Sequence, residues 1–181
     1  ACRRDILFYV NTFVWQHNPK MQGKEHGPFI TWEFQDAGFR EILDAIEGGW
    51  DLFMEKSREM GASWKCLIAF EWLWHFHPNK QFLVVSRNEH AVEKSGWPDC
   101  LFWKLDHIHK YQPTWLLDGY DPTDKDHRQK LLFRHPNGSV ISGEASTGKA
   151  GVGGRATAMF IDEFSQIEED WEVLRRTADT T

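Results

Sequence analysis

The sequence predicts an α/β domain of three layers built on a mostly parallel central sheet. Three observations carry that prediction. The apolar runs Gln81–Ser86 (QFLVVS) and Ala158–Ile161 (AMFI) have the length and composition of strands buried on both faces. Stretches with helical periodicity separate such runs, and that alternation is the pattern of helices covering a sheet. Two polar motifs, residues 56–63 and Asp162-Glu163, stand where strands end, and open α/β sheets bind ligands there. At 181 residues the chain suits one domain, and at 41% apolar and 14% aromatic it can bury a substantial core. Its ten tryptophans read as core and contact residues.

The elements follow in order. Arg3, Arg4 and Asp5 precede an apolar run from Ile6 to Val10, a helix docked on the core. Residues 16–30 hold Asn18-Pro19, Gly23 and Gly27-Pro28 and read as a loop. Phe39, Ile42, Leu43 and Ile46 recur at helical spacing, so 34–47 is an amphipathic helix stopped by Gly48-Gly49. Residues 51–55 (DLFME) read as a short strand and Ala62–Phe76 as a helix. Pro78-Asn79 turns the chain into the strand Gln81–Ser86. Two further helices are expected at 88–94 and 98–110, then a polar, turn-rich stretch over 112–130. Residues 130–134 and 139–143 flank Pro136-Asn137-Gly138 and make a β-hairpin. A loop rich in Gly, Ser and Thr over 144–154, the strand at 157–161 and a helix over about 166–177 complete the chain.

Composition excludes several classes. The formal charge of −6 argues against a constitutive, charge-driven nucleic-acid binder and leaves room only for contact through a local patch. Cys2, Cys66 and Cys100 are far apart and odd in number, so neither a disulfide framework nor a metal spacing emerges, and a reducing cytosolic setting follows. The longest apolar stretch, 66–76, is interrupted by Glu71 and too short to span a bilayer, and no signal peptide is recognisable. His75 with His77, and His107 with His109, sit at i, i+2 and diverge on a helix, so neither pair makes a zinc face.

Residues 56–63, Lys56-Ser57-Arg58-Glu59-Met60-Gly61-Ala62-Ser63, read as a phosphate-binding loop with its lysine moved. On the G-x-x-x-x-G-K-[ST] template Gly61 and Ser63 fall in place, Ala62 takes the lysine position and Lys56 the first-glycine position. From the other end of a loop that curls around phosphates, the Lys56 ammonium still reaches them, and Arg58 adds a second cation. Backbone N–H groups and a helix N-terminus complete an anion site; the plain alternative is a charged turn. Asp162 and Glu163 close an apolar strand and point to opposite sides. Asp162 suits Mg²⁺ together with Ser63, and Glu163 suits a general base that takes a proton from the attacking water. The plain alternative is an acidic helix start. Thr147-Gly148-Lys149 imitates part of a phosphate loop, but its neighbours are wrong.

With these motifs the chain resembles the ATPase domain of the large terminase subunits, the DNA-packaging motors of tailed bacteriophages and related viruses. ITWEFQ resembles the family's adenine-side glutamine motif, carried by Gln35; EKSREMGAS resembles the phosphate loop of the branch whose lysine opens it. FLVVSR, ending at Ser86-Arg87, resembles the strand that follows, and GGRATAMFIDEF the run into the acidic strand. The four occur in family order and cover most of the chain. The resemblance implies a P-loop NTPase of the additional-strand, catalytic-glutamate type. Its N-terminal segment would cover about 1–30 and its nucleotide-binding core about 31–181, stopping before the coupling motif and without the nuclease domain. It implies ATP and Mg²⁺ as cofactors. The partners it implies are viral double-stranded DNA, the portal protein and the small terminase subunit, with a homo-oligomeric ring assembled from subunits that are monomeric as this piece, in the host-cell cytoplasm. Arg155 would be an arginine finger acting on a neighbour's γ-phosphate, or a loop arginine paired with a carboxylate. Two other functions compete: a helicase-like remodelling ATPase, and a nucleotide-binding assembly module without catalysis. The displaced lysine and the GGRATAMFIDEF run favour the terminase over the first. Glu163, which binding alone does not need, disfavours the second.

Overall fold

A computed structural model describes residues 1–55, 60–146 and 155–166. After a 3-10 turn at Cys2–Arg4, the Asp5 carboxylate accepts from the N–H groups of Leu7 and Phe8 at 2.9 and 3.1 Å and starts α1 (Ile6–Phe13). The stretch expected to be a loop contains a two-stranded antiparallel sheet, β1 (Trp15–His17) with β2 (His26–Pro28). No local pattern announces it, because its strands are held by rings from a distant helix: Trp15 stacks on Tyr111 and His26 on His107, each at 5.0 Å. Next comes α2 (Glu33–Gly48), which ends as the sequence requires, at a left-handed Gly49 with φ 69°.

Residues 51–55 do not form the expected strand; they join no sheet, and Leu52 and Phe53 are exposed. The cause is geometric. A helix of 16 residues is about 24 Å long, and the chain must return from its far end to Met60, which lies beside Gln35 at its near end. That return occupies the connection. There follow α3 (Ala62–Phe76), β3 (Gln81–Ser86), α4 (Glu89–Val92) and α5 (Leu101–Tyr111). α4 is a single turn rather than the expected 88–94 helix, capped by the Asn88 side chain accepting from the Ala91 N–H at 2.9 Å. β4 (Arg128–Gln129) lies inside the expected turn-rich stretch, and β5 (Leu132–Arg134), β6 (Val140–Ala145) and β7 (Ala158–Ile161) follow, with a 3-10 turn at Phe164–Gln166. Arg128 anchors β4: its guanidinium reaches Asp106 at 2.9 Å and Glu93 at 2.7 Å and lies 4.2 Å over the Phe133 ring. The expected helix over 166–177 lies, beyond Gln166, outside the described residues, as do Thr147, Gly148 and Lys149.

The expectation of a mostly parallel sheet, and with it a P-loop NTPase fold, is overturned. The five-stranded sheet runs β4-β5-β6-β3-β7; only β6-β3 and β3-β7 are parallel, while β4-β5 and β5-β6 are antiparallel. With β1-β2, antiparallel pairings among the described strands outnumber parallel ones three to two. The Pro136-Asn137-Gly138 turn is the reason. A tight hairpin can only join antiparallel neighbours, and its second strand, β6, is itself a member of the main sheet. Nor do the described residues show three layers. Phe82, Val84, Ala158 and Phe160 face the large core, to which α1, α2, α3 and α5 all contribute. The alternate residues Leu83, Val85, Met159 and Ile161 form a small separate cluster on the other face. Trp72 and Trp74 lie in the core as expected of tryptophans, but Trp32, Trp50, Trp97 and Trp115 are exposed. No disulfide joins the cysteines, and among the described residues no helix is long and apolar enough to cross a membrane.

α3 is buried along almost its whole length, including Lys65, Glu71 and His75. Its last carbonyls are capped by the distant hairpin: Asn137 Nδ2 donates to the carbonyls of Trp74 and His75 at 3.0 and 3.1 Å, and Ser139 Oγ to that of His77 at 2.8 Å. At its middle the Glu71 carboxylate collects partners from three elements. Tyr9 Oη donates to Oε2 at 2.6 Å, His75 Nδ1 to Oε1 at 3.2 Å and Gln112 Nε2 to Oε1 at 3.4 Å, while His109 Nε2 stands 3.4 Å from Oε1 in ion-pair range. His75 Nε2 meets the Leu116 carbonyl at 2.6 Å. Both partners of His75 can only accept, so both ring nitrogens donate and the ring is an imidazolium. Burial alone would raise the Glu71 carboxyl, but His109 and His75 outweigh it and hold the group far below its ordinary 4.5. Burial lowers His75, and Glu71 more than reverses that, so it titrates above its ordinary 6.5.

The sign of the pH dependence follows. The depressed carboxyl contributes stability above about pH 4.5 that is lost as acid protonates it; the raised histidine contributes below about pH 6.5 and loses its share as pH climbs past the folded value. Thermal melts should therefore show the pair's contribution greatest between those limits. Glu71→Gln should cost about 3–5 kcal/mol there by leaving a buried imidazolium without its counter-charge. An unchanged melting temperature in that variant would contradict the ion pair.

Candidate functional site

The two sequence motifs meet. Ser63 Oγ donates to Asp162 Oδ1 at 2.9 Å, across 99 residues of chain. Ser63 is the second residue of α3, whose first turn points its N–H groups toward the end of the 56–63 segment. Asp162 leaves β7 next to β3, its N–H donating to the Val85 carbonyl at 2.9 Å. The carboxylate thus comes from the C-terminal end of one of three parallel strands, and the hydroxyl from a partly buried helix start. Both are fixed by backbone pairing rather than by loop conformation.

Gly61 precedes α3 with φ 71°, in the left-handed region. A Cβ there would also stand 3.2 Å from Gln35 Nε2. Gln35 is buried, and its carboxamide is committed within the chain: Oε1 accepts from the Trp32 N–H at 3.0 Å and Nε2 donates to the Met60 carbonyl at 3.5 Å. It clasps the start of α2 to the end of the phosphate-loop motif. Met60 is exposed and Ala62 buried. Lys56, Ser57, Arg58 and Glu59 lie outside the described residues.

Glu163 follows Asp162 with φ 54°, so the strand ends abruptly and the Glu163 side chain is turned toward β3. There Arg87 Nε stands 3.6 Å from Glu163 Oε2. Glu144 lies on β6, opposite Val85 of β3, which puts it two strands and about 10 Å across the sheet from the acidic pair. Arg155 is exposed ahead of β7 and makes no ion pair with another described residue.

Arg87, beside Glu163, and Lys65, two residues beyond Ser63, have no role that the sequence alone suggests. Arg87 was visible as the residue just past a buried parallel strand, the position where such sheets place ligand-facing groups. Lys65 is a lysine buried two residues beyond Ser63, its Nζ so near Gly38 that a Cβ there would come within 2.6 Å. Only the all-round burial of α3 reveals it.

Among the described residues no group of three or more His, Cys, Asp or Glu side chains is arranged to hold a metal ion. Mg²⁺ needs no such group: it takes one or two protein ligands and fills its shell with water and phosphate oxygens. Neighbouring ligands about 2.0–2.1 Å from an octahedral ion are roughly 2.9 Å apart. Ser63 Oγ and Asp162 Oδ1 have that spacing.

Gly61→Ala should strain the left-handed turn and press on Gln35 at once. Anion affinity, read by calorimetry with pyrophosphate, should fall while the melting temperature drops by no more than the few degrees expected of about 1–2 kcal/mol. Unaltered pyrophosphate binding would argue against this turn as part of an anion site. No protein-family model matches the chain, and no curated protein does.

Proposed function

We propose that this chain is an ATP-hydrolysing motor domain that drives viral double-stranded DNA into a procapsid, the role its motifs suggest. The observation that carries the reading is the Ser63–Asp162 hydrogen bond, which joins the two motifs at a spacing suited to Mg²⁺. The reading rests on the site and not on the sheet class, since one chemistry recurs on different scaffolds. When bound, the metal would offset charge on the β- and γ-phosphates. Ser63 and Asp162 would hold it. Lys56, Arg58 and the N–H groups from Ser57 to Ala62, with Glu59 and Met60 between, would cradle the phosphates. Gln35 would set the loop end beside the base. Glu163 would accept the proton of the water that attacks the γ-phosphorus in line, and the proton would leave with the released phosphate or to solvent. Arg155 would stabilise the γ-phosphate of a neighbouring subunit in a ring. Portal protein, small terminase subunit and the host-cell cytoplasm belong to the same reading. A helicase-like remodelling ATPase would use the same site and differ in its partner. Packaging of DNA into procapsids, against unwinding of a duplex by the same preparation, separates the two.

Lys56→Ala should weaken Mg-ATP binding by about tenfold to a hundredfold, the worth of a charged hydrogen bond to phosphate. Calorimetry showing the wild-type affinity would remove the lysine from the site. Glu163→Gln keeps the shape but cannot take a proton. Affinity should persist while hydrolysis falls by about 10²–10⁴. Wild-type turnover in that variant would shift the base to another carboxylate, with Glu144 the next to test.

A further inference from the structure

Arg87 and Glu163 leave the sheet side by side. The ladder pairs Val85 with Ile161, so the next residues but one on the two strands, Arg87 and Glu163, stand level at the strand ends. Arg87 Nε lies 3.6 Å from Glu163 Oε2, and its Nη1 donates to Gln166 Oε1 at 2.6 Å. Gln166 closes the 3-10 turn that begins just after Glu163, and its N–H donates to the Glu163 carbonyl at 2.8 Å. One guanidinium therefore holds both the Glu163 carboxylate and the turn that sets its backbone. Glu163 itself is in the left-handed region, where a residue with a Cβ stays only if its surroundings fix it.

We infer that Arg87 is a positioning residue for Glu163: it holds that carboxylate at the end of β3, one residue along the chain from the Asp162 that meets Ser63. This rests on the reading of Glu163 as the base. The electrostatics give the direction. Glu163 neighbours the Asp162 carboxylate and, in that reading, a polyanionic triphosphate; both repel it toward solvent. Arg87 is the cation that the structure sets against it. The opposite role, a lock that holds the base out of use, fails on magnitude. The two side chains are 50% and 40% exposed, and a pair so exposed biases a rotamer equilibrium by roughly fivefold at most. That is far too little to silence a base worth about 10²–10⁴ in rate, but enough to favour one orientation of it.

The test measures Mg-ATP affinity and steady-state turnover for the wild-type protein, Arg87→Ala, Arg87→Lys, and Arg87→Ala combined with Glu163→Gln. Arg87→Ala should lower kcat by about threefold to fivefold with affinity unchanged. Arg87→Lys should recover most of that loss, and in the Glu163→Gln background Arg87→Ala should change nothing further. Loss of affinity in step with kcat would make Arg87 a phosphate contact instead. An equal loss in the Glu163→Gln background, or turnover unchanged or raised in Arg87→Ala, would also overturn the assignment while leaving the nucleotide reading intact. Wild-type protein that fails to bind Mg-ATP, or binds it without hydrolysis, would overturn that reading itself and the role of Arg87 with it.

Discussion

A helix enclosed on every side has to settle its polar groups inside the protein. α3 is that helix, and the arrangement around it follows from the demand. Its start is only partly buried, where Gly61 turns the chain and Ser63 reaches Asp162. Its middle carries Glu71, which would cost several kcal/mol if buried alone and is tolerable because Tyr9, His75, His109 and Gln112 converge on it. At its far end Asn137 and Ser139 supply donors to the last carbonyls. α1, α5 and the β5–β6 turn are each tied to α3 by a polar group that it could not otherwise satisfy. The apolar surface of Trp74, Phe70 and Leu67 supplies the bulk of the attraction, while the polar contacts select which neighbours fit.

That arrangement also gives the candidate site its rigidity. Ser63 inherits its position from a helix that cannot shift without breaking the core. Asp162 inherits its own from the β3–β7 ladder. Gln35 fastens α2 to the loop end between them. The acidic pair divides by backbone conformation: Asp162 is still held by the sheet, and Glu163 has already left it through a left-handed turn. Two adjacent carboxylates are thereby given different surroundings, a serine hydroxyl for one and a guanidinium for the other.

How much of this was legible depended on whether the cause was local. α3 and β3 were readable almost to the residue, because a segment buried on most sides is largely apolar and its bounds are marked by Gly61 and Pro78. β7 was placed by its apolar run before the acidic pair, although its four residues are only partly buried rather than enclosed on both faces. The meeting of Ser63 with Asp162 was anticipated from the pairing of the two motifs, but the strand-end rule holds only for Asp162: Ser63 comes from the start of α3, and residues 51–55 ahead of its motif form no strand. The β1–β2 pair was illegible, since its partners Tyr111 and His107 are some ninety residues away in sequence. The 51–55 segment has a strand's composition, and only the length of α2 shows why it is spent on a return path. By local spacing His75 and His109 belong to diverging pairs, with His77 and His107 respectively. What unites them is Glu71, approached from two different helices. The sheet class failed for a similar reason: the hairpin was recognised, but the sequence does not say that its second strand also pairs with β3.

The capping of α3 by Asn137 and Ser139 also fixes an order of events. The donors that finish the helix are made 62 or 63 residues after the carbonyls they serve. On a ribosome, the C-terminal turn of α3 emerges long before the turn that completes it, and until then its carbonyls must stay hydrated. That end of the helix cannot enter a dry core early. Collapse around Trp74 has to wait for the hairpin, which makes the late, non-local closing of residues 137–139 onto α3 the natural bottleneck in acquiring the native state.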